Sequence, residues 1–127
     1  MKNNELFNTL NIFDIHGAVM SHIEGCFLSL GPSEFQPTMI CIVGSRLNGT
    51  HSGESDLDIA IAYRGTLRED DCFNGLMEEP LFFEDIKVDF IPYSEQIGNG
   101  IDLDRPHYLL FSEDAETIFQ EEKMNDL

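Results

Sequence analysis

The order of helical and strand-like segments predicts an α/β domain of the α+β kind, a small mixed sheet packed with helices. Three observations carry this. Apolar residues recur at spacings of three and four across residues 14–30, an unbroken apolar run fills 38–43, and strict alternation marks 57–63. These are the signatures of an amphipathic helix, a strand buried on both faces, and a strand with two unlike faces.

The helix reads from Ile15, Ala18, Val19, Ile23, Cys26, Phe27 and Leu30, which form one stripe, with Asp14 placed to cap its start and Gly31-Pro32 to end it. Residues 4–12, with Leu6, Phe7 and Leu10 inward, read as a preceding turn or two of helix. Gly31 to Pro37 reads as loop, and Thr38-Met39-Ile40-Cys41-Ile42-Val43 as the buried strand, stopping at Gly44. Asn48-Gly49 and Ser52-Gly53 are turn signals. In the next strand Leu57, Ile59, Ile61 and Tyr63 alternate with Asp58, Ala60 and Ala62. A short acidic helix is expected near 68–78, and a third strand over 86–92 with Val88 and Phe90 on one face and Lys87, Asp89 and Ile91 on the other. Residues 93–106 read as surface loop, and a terminal helix is expected from Ser112, which would cap it, with Glu113 and Asp114 complementing its dipole.

The 127 residues fit a single domain over 1–127, and a hydrophobic fraction of 42% is enough for a core. No apolar run approaches the roughly 20 residues that span a bilayer, and no secretory h-region is evident, so no membrane association is expected. Cys26, Cys41 and Cys72 are odd in number and widely spaced, which predicts free thiols and a reducing, cytoplasmic setting. Seven Lys and Arg against 24 Asp and Glu give a formal charge of −17, with the cations scattered singly. A partner tracked along its phosphate backbone needs a basic stripe, so long nucleic acid is not expected. A divalent cation, and a small anion carried with it, fit better.

The stretch with chemical content is Gly44-Ser45-Arg46-Leu47-Asn48-Gly49 followed by Ser55-Asp56-Leu57-Asp58. Side chains alternate along a strand, so Asp56 and Asp58 share a face, roughly 7 Å apart. Such a pair repels unless a hard cation with a preference for oxygen ligands neutralises both. Asp89 interrupts an apolar strand in the same manner. If that strand lies beside 57–63, three carboxylates share one face and can hold two metals. Gly44 lets the backbone approach a bulky anion, and Ser45, its neighbouring amides and Arg46 can donate to phosphate.

These residues resemble the nucleotidyltransferase domain of the DNA polymerase β-like superfamily, most closely the minimal bacterial members that pair Gly-Ser-Arg-x-x-Gly with Ser-Asp-x-Asp. Lys87-Val88-Asp89-Phe90-Ile91 matches the strand of the third carboxylate, and the resemblance covers residues 38–92. It implies transfer of a nucleoside monophosphate from an NTP, with ATP the expected donor, to an acceptor hydroxyl. Asp56, Asp58 and Asp89 would be the catalytic metal ligands for two Mg²⁺ ions, Mn²⁺ substituting, and Gly44, Ser45, Arg46 and Ser55 would bind the nucleotide. The resemblance extends to antitoxins that adenylylate a helical HEPN-type RNase toxin and to modifiers of proteins or small molecules. Polymerising members of the family carry basic surfaces or extra domains, and small-molecule modifiers an appended helical domain; the sequence shows neither. Of the two expected acceptors, a protein or a small molecule, this favours a partner protein whose surface completes the site. A homodimer and a toxin partner both suit a chain of this size.

Each motif has a plainer reading. A lone Gly-Ser turns strands everywhere, and Asp-x-Asp alone is commonly a solvated strand edge; the specificity lies in their joint spacing. Arg46 could pair with an acidic neighbour instead of phosphate. His51 reads as an exposed loop residue, and His16, His22 and His107 as structural, His22 in the core. The alternative function is a catalytically idle acidic relative that binds or inhibits a basic partner, as a nucleic-acid mimic or by its field. Retention of the whole motif set favours the enzyme. A calcium-binding domain would need a D-x-D-x-D-G loop that is not there.

Overall fold

The computed structural model describes residues 12–44, 57–83 and 86–113. In chain order the elements are helix α1 (Ile12–Cys26), strands β1 (Gln36–Val43) and β2 (Leu57–Arg64), helix α2 (Glu69–Met77), strands β3 (Phe82–Phe83) and β4 (Ile86–Ser94), a 3₁₀ turn (Glu95–Ile97) and strand β5 (Tyr108–Ser112). The five strands are ordered β3-β4-β2-β1-β5. Only β2 and β4 run parallel; the remaining pairs are antiparallel. A parallel pair needs a crossover, and α2 lies in the connection between these two strands. The α+β mixed sheet expected from the sequence is the observed fold.

Period-two alternation divides the sheet into two unlike faces. Leu57, Ile59, Ile61 and Tyr63 of β2, with Ile40, Ile42, Val88, Phe90 and Leu110, pack against Ile15, Val19 and Ile23 of α1 and Cys72 and Leu76 of α2. Most of these side chains are fully buried, each contributing about 1.5–3 kcal/mol by leaving water. The opposite face of β2 carries Asp58, Ala60, Ala62 and Arg64. Two polar rings end up in the apolar layer with a partner each. Tyr63 donates its hydroxyl to the Leu67 carbonyl at 2.7 Å. His22 stacks on Phe90 with ring centroids 5.4 Å apart and joins α1 to α2 through Nε2 and the Leu76 carbonyl at 2.8 Å. A carbonyl only accepts, so Nε2 carries the proton. The structural reading of His22 is thereby met.

The boundaries differ from the sequence reading at several points. Helix α1 begins at Ile12, so Asp14 lies inside the first turn and acts on the dipole, not as a cap. It ends at Cys26, where Phe27 turns off to pack against Phe35 at 4.6 Å between centroids. Strand β1 starts two residues early, at Gln36. Strand β4 runs on through Pro92 to Ser94, where loop was expected. The edge partner β3 pairs only with Ile86 and Lys87, so among the described residues that side of β4 has no ladder at Pro92 and the missing N–H leaves no sheet bond unmade there. Ser112 closes β5 opposite Met39, and Glu113 N donates to the Thr38 carbonyl at 3.1 Å; the residues of the helix it was expected to cap lie outside the described ones. Of the turn or two of helix expected at 4–12 only Ile12 is described, as the first described residue of α1, and the terminal helix expected from Ser112 lies outside the described residues beyond Glu113.

No helix among the described residues is long and apolar enough to cross a membrane. All three cysteines are free, Cys41 and Cys72 buried and Cys26 half-buried. Burial pushes the Cys41 thiol up to about 11. Burial, reinforced by Glu69, pushes Cys72 up to about 12, and burial raises Tyr63 to about 12. In the unfolded chain these groups release their protons first, from about pH 9 upward for the thiols. The folded form then binds more protons, and its stability declines with rising pH. Denaturation midpoints are therefore expected to hold up to about pH 8 and to fall steadily between about pH 9 and 12.

Gly65 turns the chain after β2 with φ 122°, and a Cβ there would collide with the Glu34 carbonyl and stand 2.9 Å from Phe35 N. The obstacle is backbone, itself held by Leu67 N donating to Glu34 O at 2.9 Å. Gly65→Ala is expected to cost at least about 2 kcal/mol, from the unfavourable backbone region alone, read as a lower midpoint in urea denaturation.

Candidate active site

The site begins where β1 stops. Val43 is registered opposite Asp58, and the next residue, Gly44, takes φ 90°, a left-handed conformation that side chains resist. A Cβ at Gly44 would collide with Asp58 Oδ2 and lie 3.2 Å from its Cγ. Two separate causes thus require glycine. One is the turn itself; the other is the Asp58 carboxylate, whose oxygen occupies the space a side chain would fill. Sequence reasoning credited this glycine with admitting a phosphate. Its first task in the fold is to admit a carboxylate.

The third predicted acid, Asp89, lies beside Asp58. In the parallel pairing of β2 with β4, Asp58 is registered on Asp89, between Leu57↔Val88 and Ile59↔Phe90. Their flanking residues point into the core on the helix side, so both carboxylates rise from the other face of the sheet on strands about 4.8 Å apart. Both residues are half-buried. Like charges placed side by side across a ladder destabilise it, and a bridging cation removes that cost. Hard carboxylate oxygens suit Mg²⁺ or Mn²⁺, so the pair fits the expected metal.

The remaining predicted site residues, Ser45, Arg46, Ser55 and Asp56, lie outside the described residues, as does His51. Among the described residues no three His, Cys, Asp or Glu side chains converge on one point; the described contribution is the Asp58–Asp89 pair. His107 is exposed and bound to its own loop, Nδ1 lying 2.9 Å from the Arg105 carbonyl.

A cleft of about 390 Å³ opens at Asp58, floored by Asp58 and Ala60 of β2 and by Ile91 and Tyr93 of β4, with Gly44 at one end and Asp102, Arg105 and Pro106 in its wall; Asp89 lies outside this lining. Small-molecule sites run to about 300–1,000 Å³. The wall is the segment after β4, fastened at its root. Glu69, at the start of α2, accepts from Ser94 N at 2.7 Å and from Asn99 Nδ2 at 2.7 Å. The Glu95 carboxylate accepts from the Thr38 hydroxyl. Sequence reasoning missed this wall. Tyr93 was within reach, because continuing the alternation of Lys87, Asp89 and Ile91 one step past Pro92 puts it on the carboxylate face. Arg105 carried no periodic signal.

A family model described as polymerase beta, nucleotidyltransferase, matches residues 30–116. The chain belongs to that family. The match takes in β1, β2, β4 and β5, and so the strands that carry Gly44, Asp58 and Asp89. No curated protein and no solved structure matches the chain. Membership assigns nucleotidyl transfer as the general chemistry, and the two strand-borne carboxylates stand at the positions where the motif resemblance expects metal ligands.

The collision between residue 44 and Asp58 is open to a double-mutant cycle. Gly44→Ala is expected to lose about 1–3 kcal/mol of stability from backbone strain and the clash together. In the Asp58→Ala background the same change is expected to lose measurably less, because the carboxylate is gone. Equal losses in both backgrounds would show that the two residues do not compete for the same space.

Proposed function

We infer that the protein transfers a nucleoside monophosphate from an NTP, with ATP the expected donor, to a hydroxyl on an acceptor. The observation that carries this reading is the registration of Asp89 on Asp58, the latter lining a cleft whose strand end is the glycine corner at Gly44.

Asp58 and Asp89, joined by Asp56, would hold two Mg²⁺ ions, which when bound supply charge neutralisation at the phosphates and a more acidic acceptor hydroxyl. The chain's own groups do the rest. Ser45, Arg46 and the amides following Gly44 would grip phosphate oxygens, with Ser55 beside them. The acceptor oxygen forms its bond to the α-phosphorus as the bond from that phosphorus to the bridging oxygen breaks, and pyrophosphate leaves with the bonding electrons. The hydroxyl proton passes to the Asp89 carboxylate and on to solvent. A sheet-borne carboxylate pair suits this because attack geometry tolerates little drift, and strands hold side chains more firmly than loops do.

The acceptor hydroxyl is assigned to a protein or a small molecule. With a formal −17 charge, the chain repels a polyanion at range and has no basic stripe with which to hold one. By resemblance, a helical HEPN-type RNase toxin is the protein acceptor to try first.

The test is incubation with α-labelled NTPs and Mg²⁺, first with a purified candidate toxin and then with lysate. Label is expected to appear on an acceptor, to vanish with EDTA and to return with Mn²⁺. Asp58→Asn and Asp89→Asn are each expected to reduce the rate by about 10²-fold or more, the scale of losing one electrostatic anchor of the transition state. Transfer that persists undiminished in Asp58→Asn would overturn the assignment.

A further inference from the structure

We propose that Arg105 is a triphosphate-binding residue of this site, holding the phosphates that leave as pyrophosphate. The inference rests on the transferase reading above and adds a residue from outside the Gly-Ser and Asp-x-Asp elements.

The observations concern where the positive charge sits in a strongly acidic chain. Four cationic side chains fall among the described residues. Arg64 is paired with Glu113 at 3.0 Å, and Arg68 faces Asp70 at 3.7 Å. Lys87 is exposed on β4 and lies outside the cleft lining. Arg105 alone of the four lines the cleft that holds Asp58, and its guanidinium makes no ion pair among the described residues.

Its presentation is built. Asp102 Oδ1 accepts from Asp104 N at 3.1 Å, and the Asp102 carbonyl accepts from Arg105 N at 3.3 Å, closing a turn of the type aspartate favours. On the far side, His107 Nδ1 donates to the Arg105 carbonyl and Pro106 fixes its own backbone torsion. Upstream, Asn99 is tied to Glu69; downstream, β5 is paired to β1. The arginine therefore stands on a loop fastened at both ends, in the wall of the cleft whose sheet floor carries Asp58.

The chemistry asks for such a group. Charge that develops on bond cleavage accumulates on the departing β- and γ-phosphates, and a fixed guanidinium there would add to whatever neutralisation carboxylate-held cations supply. A planar guanidinium with several donors matches phosphate oxygens and stays charged at any working pH. In a cleft that also holds Asp58 and Asp102, an anion without such a counter-charge meets net repulsion.

The test needs no acceptor. A fluorescent ATP analogue is titrated into the full chain with Mg²⁺, and inorganic pyrophosphate with Mg²⁺ is then used to displace it. Arg105→Gln is expected to raise the Kd for the ATP analogue about 10–100-fold, the range for losing charge-assisted hydrogen bonds, and to weaken pyrophosphate displacement by a similar factor. Arg105→Lys should recover part of both. Since Arg105 is exposed, the unfolding midpoint should stay at the wild-type value. If the wild type binds the analogue and Arg105→Gln binds it within about two-fold, the proposal fails while the transferase reading stands. Weakened ATP binding with unchanged pyrophosphate displacement would place the arginine on the nucleoside and also overturn it. Failure of the wild type itself to bind ATP or pyrophosphate would remove the transferase reading and this proposal together.

Discussion

The structure turns on β2, and on the pairing of its second residue with the middle of β4. This strand is hydrogen-bonded on both sides, to β1 and to β4, and its two faces do different work. Leu57, Ile59, Ile61 and Tyr63 sit in the core with no measurable exposure, which fixes the register: a slip of one residue would bury Asp58 under the helices and push isoleucines into the cleft. Hydrophobic burial on one face thereby holds a carboxylate in position on the other. The parallel ladder then delivers Asp89 alongside, and the geometry of the acidic pair follows from the packing of the apolar one.

On the proposed reading, that arrangement would let an acidic chain hold an anion. Two carboxylates in register repel each other, and that repulsion would become affinity for a hard cation held between them. Net charge is then a statement about partners more than about substrate. Under the proposed transfer, a field of this sign would discourage long polyanions at a distance, admit a metal-borne nucleotide, and favour acceptors that are neutral or basic at the point of contact.

The sequence made the core strands and the acidic residues legible for one reason, the period of two. Residues 57–63 alternate cleanly, and 86–91 do so well enough to put Asp89 on the face away from Val88 and Phe90. What alternation within one strand leaves open is which strand lies beside which. The neighbourhood of Asp58 and Asp89 is a non-local pairing that the chain reaches through α2, so their registration is a finding of the structure. The missed elements failed for local reasons. Two residues of β3 are too few to show a period, Tyr108–Phe111 are apolar throughout, and Pro92 looks like a terminator unless one knows that β4 has lost its outer neighbour there. The cleft wall was invisible because loops carry no repeat, and Arg105 stood out only as one of seven cations in the whole chain.

Ala60 and Ala62 receive no attention in any motif, yet they lie directly along β2 from Asp58, on its face. Ala60 floors the cleft beside Asp58, and Ala62 floors an adjoining hollow of about 310 Å³ that shares Ile101 with it. Their single methyl groups set the depth available between sheet and loop. A branched side chain at either position would leave all three acidic residues and the glycine corner intact while filling the chamber from below. Competence in this domain thus depends on headroom as well as on ligands, and a relative could keep every signature residue and still be shut.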